Sequence, residues 1–328
     1  MEKIRWGLMG AGRISGWFAT ALSVLEDAEC YAIASRTLEK GQQFAETYGF
    51  EKAYGSYEEM LADPLVDVVY IGTPVREHFG HIMMCLQAGK HVLCEKSLTV
   101  NARQAKQAVD LAREKNLFFM EAMWMKCQPV FRQIKQWVNE GLLGEIRGVD
   151  ARFYTQSGKG HRLYKHELAG GALLDLGYYP VTYACELLGY EPKNIQNHAI
   201  IGAGNVDYLD SIVLEYDNGS FAHLSCGLGE EKMVSLYILG TKGRITLQKE
   251  FFFQAQKAQV VNFDNEVLAS CEIPFLKNGY EYEAMEVMEC IRKGRMESEL
   301  VRPDDTVAVM EILDTCRAQI GFRFDFEE

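Results

Sequence analysis

The chain has no apolar run approaching the roughly 20 residues that a bilayer-spanning helix needs, so no transmembrane segment is expected. It is short of positive charge. Thirty-four Lys and Arg stand against 46 Asp and Glu, for a formal net charge of −12, and no Lys/Arg cluster interrupts that balance. A nucleic-acid binder needs a basic patch, so that class is excluded. C-x-x-C pairs are missing too: nine cysteines lie scattered at 30, 85, 94, 127, 185, 226, 271, 290 and 316. An odd, unpaired set reads as reduced, mostly buried thiols in a cytoplasmic protein, and it argues against structural zinc. His78 and His81 have ligand-like spacing but no companion cluster, so no metal is expected. Internal repeats and low-complexity tracts are absent. The apolar pattern begins at Ile4, so no signal peptide is expected ahead of the fold.

What is present is an ordinary globular composition, 48% apolar and 24% charged over 328 residues, long enough for two domains or one large α/β domain. The first 120 residues alternate strand and helix. Strands are expected at 4–9, 30–34, 66–71, 91–94 and 117–121, and helices at 14–25, 40–48, 77–88 and 102–115. Pro74 stops the third strand, and Gly89-Lys90 closes the helix before the fourth. Such alternation predicts a doubly wound parallel sheet. After Trp124 the pattern changes. Helices are expected at 129–140 and 170–187 and a strand at 146–154, followed by strands and hairpins from 195 to 273. Asp217-Asn218-Gly219 is a hairpin signal, with further turns at 240–243 and 263–266. Terminal helices at 280–293 and 304–320 are placed either over this sheet or back on the first domain. The reading is α/β: a dinucleotide-binding domain over 1–122, then an α+β domain over 123–328 with a large, mostly antiparallel open sheet.

The first site signal is Gly10-Ala11-Gly12-Arg13-Ile14-Ser15, between the first strand and the first helix. Gly10 can take a turn conformation that a side chain forbids. Gly12 holds nothing between a pyrophosphate and the amides of the helix N-terminus, where Arg13 and Ile14 begin. Ser15 stands where a third glycine or alanine is more usual. At the end of the second strand, where an acid would bind the ribose hydroxyls of NAD, stand Ser35 and Arg36. A hydroxyl and a guanidinium suit a 2′-phosphate, which favours NADP over NAD.

Two further stretches carry chemistry. Lys96 follows a short strand, so it projects at the sheet's C-terminal edge, where open α/β folds bind ligands. A lysine there can hold a nicotinamide ribose and lend charge to a reacting oxygen, or it can be a surface lysine. Glu95 reads as structural or as a ribose contact rather than a base. In Gly170-Gly171-Ala172-Leu173-Leu174-Asp175-Leu176-Gly177-Tyr178-Tyr179, Asp175 and Tyr179 share a helical face. A phenol titrates near ~10 in water, and a nearby ammonium lowers that value. Lys96 and Tyr179 would therefore make an acid–base pair suited to carbonyl reduction or alcohol oxidation. Core packing explains Leu174, Tyr178 and Val181 equally well, but it leaves the double glycine and Asp175 unexplained.

Gly10-Ala11-Gly12, Gly72-Thr73-Pro74 with His78, Glu95-Lys96, and Gly170-Gly171 through Asp175-x-Gly177-x-Tyr179 resemble the Gfo/Idh/MocA oxidoreductases over nearly the whole chain. Glu121-Ala122-Met123-Trp124, Ser35-Arg36 and Tyr179 resemble the branch of dimeric dihydrodiol dehydrogenases and NADP-dependent D-xylose dehydrogenases. The resemblance implies an N-terminal Rossmann domain and a C-terminal open sheet whose face forms a dimer interface. It implies Lys96 and Tyr179 as the catalytic pair, Asp175 in support, and Thr73, Pro74 and His78 near the cofactor. Two departures stand out. The family's Glu-Lys-Pro is Glu95-Lys96-Ser97 here, which leaves the bend less fixed, and many members carry histidine in place of Tyr179. Trp124, Phe153, Arg147 and Arg162 are candidate substrate residues, each with an equal core or surface alternative, and His161 and His166 flank an irregular segment before the double glycine, as substrate contacts or solvated loop residues.

The expectation is an NADP-dependent oxidoreductase moving a hydride between nicotinamide and a sugar, vicinal diol or other secondary alcohol. Two alternatives stand beside it: a catalytically silent NADP(H)-sensing interaction protein, and a reductase of a deoxy- or anhydro-sugar carbonyl. A homodimer or higher homo-oligomer through the C-terminal sheet is the expected assembly.

Overall fold

The computed structural model describes residues 3–156, 158, 160–202, 204–229, 231–248 and 252–327. The chain divides into two compact units, each drawn from separate stretches. The first comprises Met1–Thr99, Arg103–Cys127 and Phe275–Thr306; the second comprises Val100–Ala102, Gln128–Pro274 and Val307–Glu328.

In the first unit, strands β1 (Ile4–Met9), β2 (Ala28–Ala34), β3 (Lys52–Tyr54), β4 (Val68–Ile71), β5 (His91–Glu95) and β6 (Phe119–Ala122) form one parallel sheet. Their order is β3-β2-β1-β4-β5-β6. Helices α1 (Arg13–Leu22), α2 (Leu38–Tyr48), α3 (Tyr57–Leu61), α4 (Val75–Gln87) and α5 (Ala102–Lys115) connect the strands. The continuous apolar runs seen in the sequence are strands buried on both faces; every residue of β4 and β6 is buried. Strand β3 and helix α3, too short for a periodic signal, were not foreseen. Phe18 of α1 is fully buried and stacks on Tyr70 of β4 at 3.9 Å and 3°. Burial of such a side chain stabilises by about 1.5–3 kcal/mol, and the ring contact adds about 1 kcal/mol. It pins α1, and with it the turn at Gly10–Gly12, over the point where the strand order reverses between β1 and β4.

The second unit carries α6 (Pro129–Asn139), β7 (Ile146–Tyr154), α7 (Tyr178–Leu188), β8 (Asn194–Ile201), β9 (Asp207–Glu215), β10 (Phe221–Gly227), β11 (Met233–Gly240), β12 (Arg244–Gln248), β13 (Lys257–Val261) and β14 (Val267–Glu272). The strands form one eight-stranded sheet in the order β14-β13-β12-β11-β7-β10-β9-β8. Only the β10–β7 pair is parallel. All three anticipated hairpin turns are present; Gly219, for example, has φ +79° between β9 and β10. Of the terminal helices, α8 (Glu281–Arg292) lies within the first unit, and α9 (Pro303–Gln319) runs from the first into the second.

One expectation needs correction. The helix anticipated over 170–187 does not begin at the double glycine. Leu173–Gly177 forms a single π turn, and regular α-helix starts only at Tyr178. Gly170 and Gly171 precede this element and have packing reasons of their own, described below. All nine cysteines are unpaired, and seven are buried. Among the described residues no helix is long and apolar enough to cross a membrane, and no group of three or more His, Cys, Asp or Glu could hold a metal ion.

Candidate functional site

Strand β1 delivers the chain to Gly10, whose φ of +98° suits glycine. A Cβ there would also stand 3.0 Å from Thr73 Cγ2 and 3.3 Å from Gly72 O. Ser15 turns the unusual third position into a lock: its Oγ donates to Gly10 O at 2.5 Å. The same hydroxyl explains Gly72, where a Cβ would fall 2.4 Å from Ser15 Oγ. Gly12 is different. It is the exposed N-cap of α1 with φ −98° and ψ 179°, and a Cβ there would meet only Gly72 O at an ordinary 3.8 Å. The protein's own packing does not ask for glycine at 12. What glycine preserves is open space over the first amides of α1, which no side chain caps. A helix N-terminus with free amides and no side chain in the way fits a pyrophosphate.

Ser35, at the end of β2, is buried, and its amide donates to Tyr54 O at 3.2 Å. Arg36 beside it is exposed, and among the described residues no carboxylate pairs with it. Its charge acts on Tyr57, whose phenol is raised by burial and pulled the other way by the guanidinium. Arg13 lies over the exposed Trp17 ring at 5.4 Å.

At the carboxyl ends of β4 and β5 the backbone is held by buried polar side chains. Thr73 Oγ1 meets His81 Nδ1 at 2.9 Å, and Pro74 is the N-cap of α4. His78 is fully buried, with Nε2 2.8 Å from Thr73 O and Nδ1 3.0 Å from Ser97 O, so one imidazole ties the loop after β4 to the loop after β5. Burial lowers its pKa to about 4 against the raising effect of the carbonyls, so the neutral ring donates to one of the two. Glu95 accepts from Tyr70 Oη at 2.6 Å and from the Lys96 amide at 3.2 Å. Glu121 accepts from the Leu98 amide at 2.9 Å and from Thr306 Oγ1 at 3.1 Å. Half-buried Lys96 is thus flanked by amides that two carboxylates fix, and the Lys96–Ser97 peptide is cis. Glu283 of α8 completes this acidic group. It is fully buried, neither carboxyl oxygen has a partner among the described residues, and its pKa is raised well above the carboxylate range by burial and then by Glu95 and Glu121. Three carboxyls in one dry region cannot all ionise, and Glu283 is the neutral one. Trp124, 2% exposed, stacks on Tyr280 at 4.1 Å and 7°.

In the second unit the double glycine is accounted for. A Cβ on Gly170 would lie 2.7–2.8 Å from the carbonyl oxygens of Leu163, Arg162 and Lys165. Gly171 has φ +126°, and a Cβ on it would lie 2.2 Å from Asp207 Oδ1. Gly177 is pressed against Cys226, whose Sγ would be 2.9 Å from a Cβ. Arg162, brought over by the loop that Gly170 receives, pairs with Asp175 at 2.9 Å. Tyr179 is 6% exposed and stacks on Phe253 at 4.4 Å and 21°; Phe153 of β7 is 6.0 Å from the phenol ring and 4.8 Å from Phe253. Arg147 is an exposed partner of Glu145 at 2.7 Å. His161 Nδ1 accepts the Leu163 amide at 3.4 Å. His166 bonds Asn205 O and the Asp325 amide and packs among Phe322, Phe324 and Phe326, so it anchors the C-terminal segment.

The candidate residues thus fall in two groups. Gly10, Ala11, Gly12, Arg13, Ile14, Ser35, Arg36, Thr73, Pro74, His78, Glu95, Lys96 and Trp124 belong to the first unit; Phe153, Arg162, Asp175 and Tyr179 belong to the second. Sequence reasoning missed Glu283, Phe253 and Asp207. Only the aromatic pair Phe252-Phe253 left a visible signal.

A family model described as "Oxidoreductase family, NAD-binding Rossmann fold" matches residues 4–123, and one described as "GFO/IDH/MocA C-terminal domain" matches 131–246. Over its length the chain is similar to a trans-1,2-dihydrobenzene-1,2-diol dehydrogenase of Xenopus laevis, 36% identical over 330 residues that cover 98% of this chain and 99% of the relative. The Mus musculus protein of the same name is 35% identical, with 98% of each chain covered. A solved 3-ketoreductase from Actinomadura kijaniata, in complex with NADP and TDP-benzene, matches with a TM-score of 0.85 and 27% identity over 97% of this chain and 98% of that one. A levoglucosan dehydrogenase in complex with NADH and levoglucosan shares the fold at a TM-score of 0.86 and 20% identity, with 98% of each chain covered.

Proposed function

This chain belongs to the Gfo/Idh/MocA family of NAD(P)-dependent oxidoreductases acting on CH–OH groups, and from that premise we propose that it is an NADP-dependent dehydrogenase of a vicinal diol or sugar. The observation that carries this reading is Lys96: it stands directly beyond β5, two strands from the open turn at Gly12, with the amides around it fixed by Glu95 and Glu121. The turn from Gly10 to Ile14 would hold the pyrophosphate, with Thr73 and Pro74 beside it and His78 bracing that loop from beneath. Arg36 and Ser35 would take the 2′-phosphate, since an unpaired exposed guanidinium replaces the acid that would bind a free ribose hydroxyl.

The nicotinamide, when bound, supplies or accepts the hydride. The protein's part is orientation and proton movement. Tyr179 Oη takes the substrate hydroxyl proton in oxidation and returns it in reduction. Lys96 holds the ribose and places a positive charge that favours the phenolate. Asp175, paired with Arg162, supports the site. Phe153 and Arg162 of the second unit and Trp124 of the first are the proposed substrate residues, and buried aromatic rings with few polar groups suit a small cyclic diol or sugar. Large apolar side chains exposed on β8, β10, β11 and β14, Ile200, Phe221, Met233 and Leu268 among them, support a second copy of the chain as the occupant of that sheet.

The test is NADP⁺ reduction at alkaline pH across aldoses, dihydrodiols and simple diols, for wild type, Lys96→Met and Tyr179→Phe, with NAD⁺ in parallel. Turnover that needs NADP⁺ and collapses in both variants is the expected result. Robust activity that survives either substitution overturns the catalytic assignment. A wild type that binds NADPH yet turns over nothing favours a sensing role.

A further inference from the structure

Two buried polar clusters lie outside the residues so far given a role: the hydrogen-bond hub at Asp63, and a pair of aspartates on β9. The last carries an inference. Asp207 and Asp210 are three residues apart, a spacing that puts side chains on opposite faces of a regular strand. Here the register against β8 shifts: Ile200 faces Leu209, but Ile201 faces Asp207, so Tyr208 is an extra residue. Both aspartates are consequently buried, 3% and 0% exposed, while Tyr208 and Leu209 between them are only half-buried. A β-bulge of this kind re-aims a side chain, and such bulges are frequent beside active sites.

The re-aimed Asp207 reaches the π turn that leads directly into α7, the helix that carries the candidate proton donor. Its Oδ2 accepts from the Leu173 amide, the first of the π turn, at 2.5 Å. Its Oδ1 occupies the space that Gly171 leaves by having no side chain. Asp210 Oδ1 accepts from Asn197 Nδ2 at 2.9 Å, while its Oδ2 is buried with no donor among the described residues. Asp207 and Asp210 act on one another's titration, and a carboxyl of this pair becomes a donor only if it carries a proton. Neither acid has an ion pair among the described residues, and the titratable neighbours are the thiols of Cys226 on β10 and Cys316 on α9. Both thiols are held up by burial and then by Asp210, with Asp207 adding to the effect on Cys226, and among the described residues no ion pair offsets a second negative charge. Burial raises both acids, and Asp210 adds to the effect on Asp207.

We propose that Asp207 and Asp210 form an acid pair holding a single proton, and that Asp207, through the Leu173 amide, is a positioning residue for Asp175 and Tyr179. The proposal rests on the catalytic reading of Tyr179. The π turn is clamped at its start by Asp207 and at its end by Cys226 against Gly177, and single π turns mark functional sites more often than ordinary helix does. Release of the first clamp lets Leu173–Gly177 relax toward ordinary helical register and shifts Asp175 and Tyr179 relative to the strands beneath.

The test uses the full chain with three substitutions, Asp207→Asn, Asp207→Ala and Tyr179→Phe. It reads hydrogen exchange over 172–179, NADPH affinity, and kcat and KM with NADP⁺ and the most active diol or aldose of the panel above. Asparagine is the isostere of the neutral acid: it can accept from Leu173 and donate to Asp210. Asp207→Ala is expected to speed exchange over 172–179 and lower kcat, each at least tenfold, with KM and NADPH affinity moved less than threefold. Asp207→Asn restores both to within threefold of wild type. Unchanged exchange in Asp207→Ala overturns the clamp, and an asparagine variant as damaged as alanine overturns the shared proton. Faster exchange with unaltered kcat overturns the link to catalysis. If Tyr179→Phe is then also fully active, the fault lies in the assignment of Tyr179 and not in the clamp. Should the alanine variant fail to fold, Asp207→Ser, too short to reach Leu173, is read in the same way.

Discussion

Two glycines in this chain are glycines for opposite reasons, and single alanine substitutions separate them. At Gly12 the backbone is extended and a Cβ meets one atom at 3.8 Å. Alanine is a poorer N-cap than glycine by about 0.5–1 kcal/mol, and it gains about 0.4–1 kcal/mol by restricting the unfolded chain. The net effect on stability is close to zero. At Gly171, φ is +126° and the Cβ would sit 2.2 Å from Asp207 Oδ1. Strain of about 1–3 kcal/mol and loss of the Asp207 carboxyl's bond to Leu173, about 1–3 kcal/mol, sum to about 2–6 kcal/mol. Cofactor affinity should invert this order. A methyl group over the first amides of α1 removes a charge-assisted hydrogen bond to phosphate worth about 1.5–3 kcal/mol, or about 10- to 100-fold in Kd. The assay is thermal unfolding of both variants alongside NADPH titration by fluorescence. Gly12→Ala should melt with wild type and bind weakly; Gly171→Ala should melt early. Wild-type affinity in Gly12→Ala would refute the assignment of this turn to the pyrophosphate, and equal destabilisation of the two would refute the packing argument.

Arg36→Ala should lower the ratio of kcat/KM for NADP⁺ over NAD⁺ by about 10- to 100-fold, the loss of one charged contact to a 2′-phosphate; a ratio that stays put removes Arg36 as selector. Glu283 binds a proton when folded that the unfolded chain releases above about pH 4.3. Its stabilising contribution is complete below that pH and declines toward the raised folded value, by up to ~1.4 kcal/mol per pH unit. Glu283→Gln lacks that decline, so its stability should gain on wild type from about pH 5 to 8; parallel stability–pH curves for the two proteins count against a neutral Glu283.

Much of this fold was legible because its signals are local. Continuous apolar runs marked β4 and β5, Asp217-Asn218-Gly219 marked the β9–β10 hairpin, and the glycine turn marked the strand-to-helix junction. What stayed hidden depends on register or on distant partners. A π turn at 173–177 differs from an α turn by one hydrogen-bond step, which leaves the side-chain pattern almost unchanged. Asp207 looks like a strand-entry residue until the bulge at Tyr208 turns it inward. Glu283 lies in an acidic stretch, Glu281 to Glu286, that reads as a solvated helix face; yet Glu281 and Glu283 are both fully buried, the former accepting the amides of Lys277, Asn278 and Gly279. Helical core packing left Gly170 and Gly171 unexplained in the sequence, and the structure supplies the reason in close neighbours from 162–165 and Asp207.

The first unit is not a contiguous segment of gene, and this bears on recombination. Residues 275–306 enter it only after the chain has built most of the second unit. Within that late stretch lie Tyr280, which stacks on Trp124, Met296, whose carbonyl accepts from the Phe119 amide, and Glu283, which acts on Glu95 and Glu121. A single crossover near residue 127 would leave every one of these pairings with one partner from each parent. Chimeras that trade cofactor specificity between homologues therefore need two exchanged blocks, 1–127 and 275–306, inherited together.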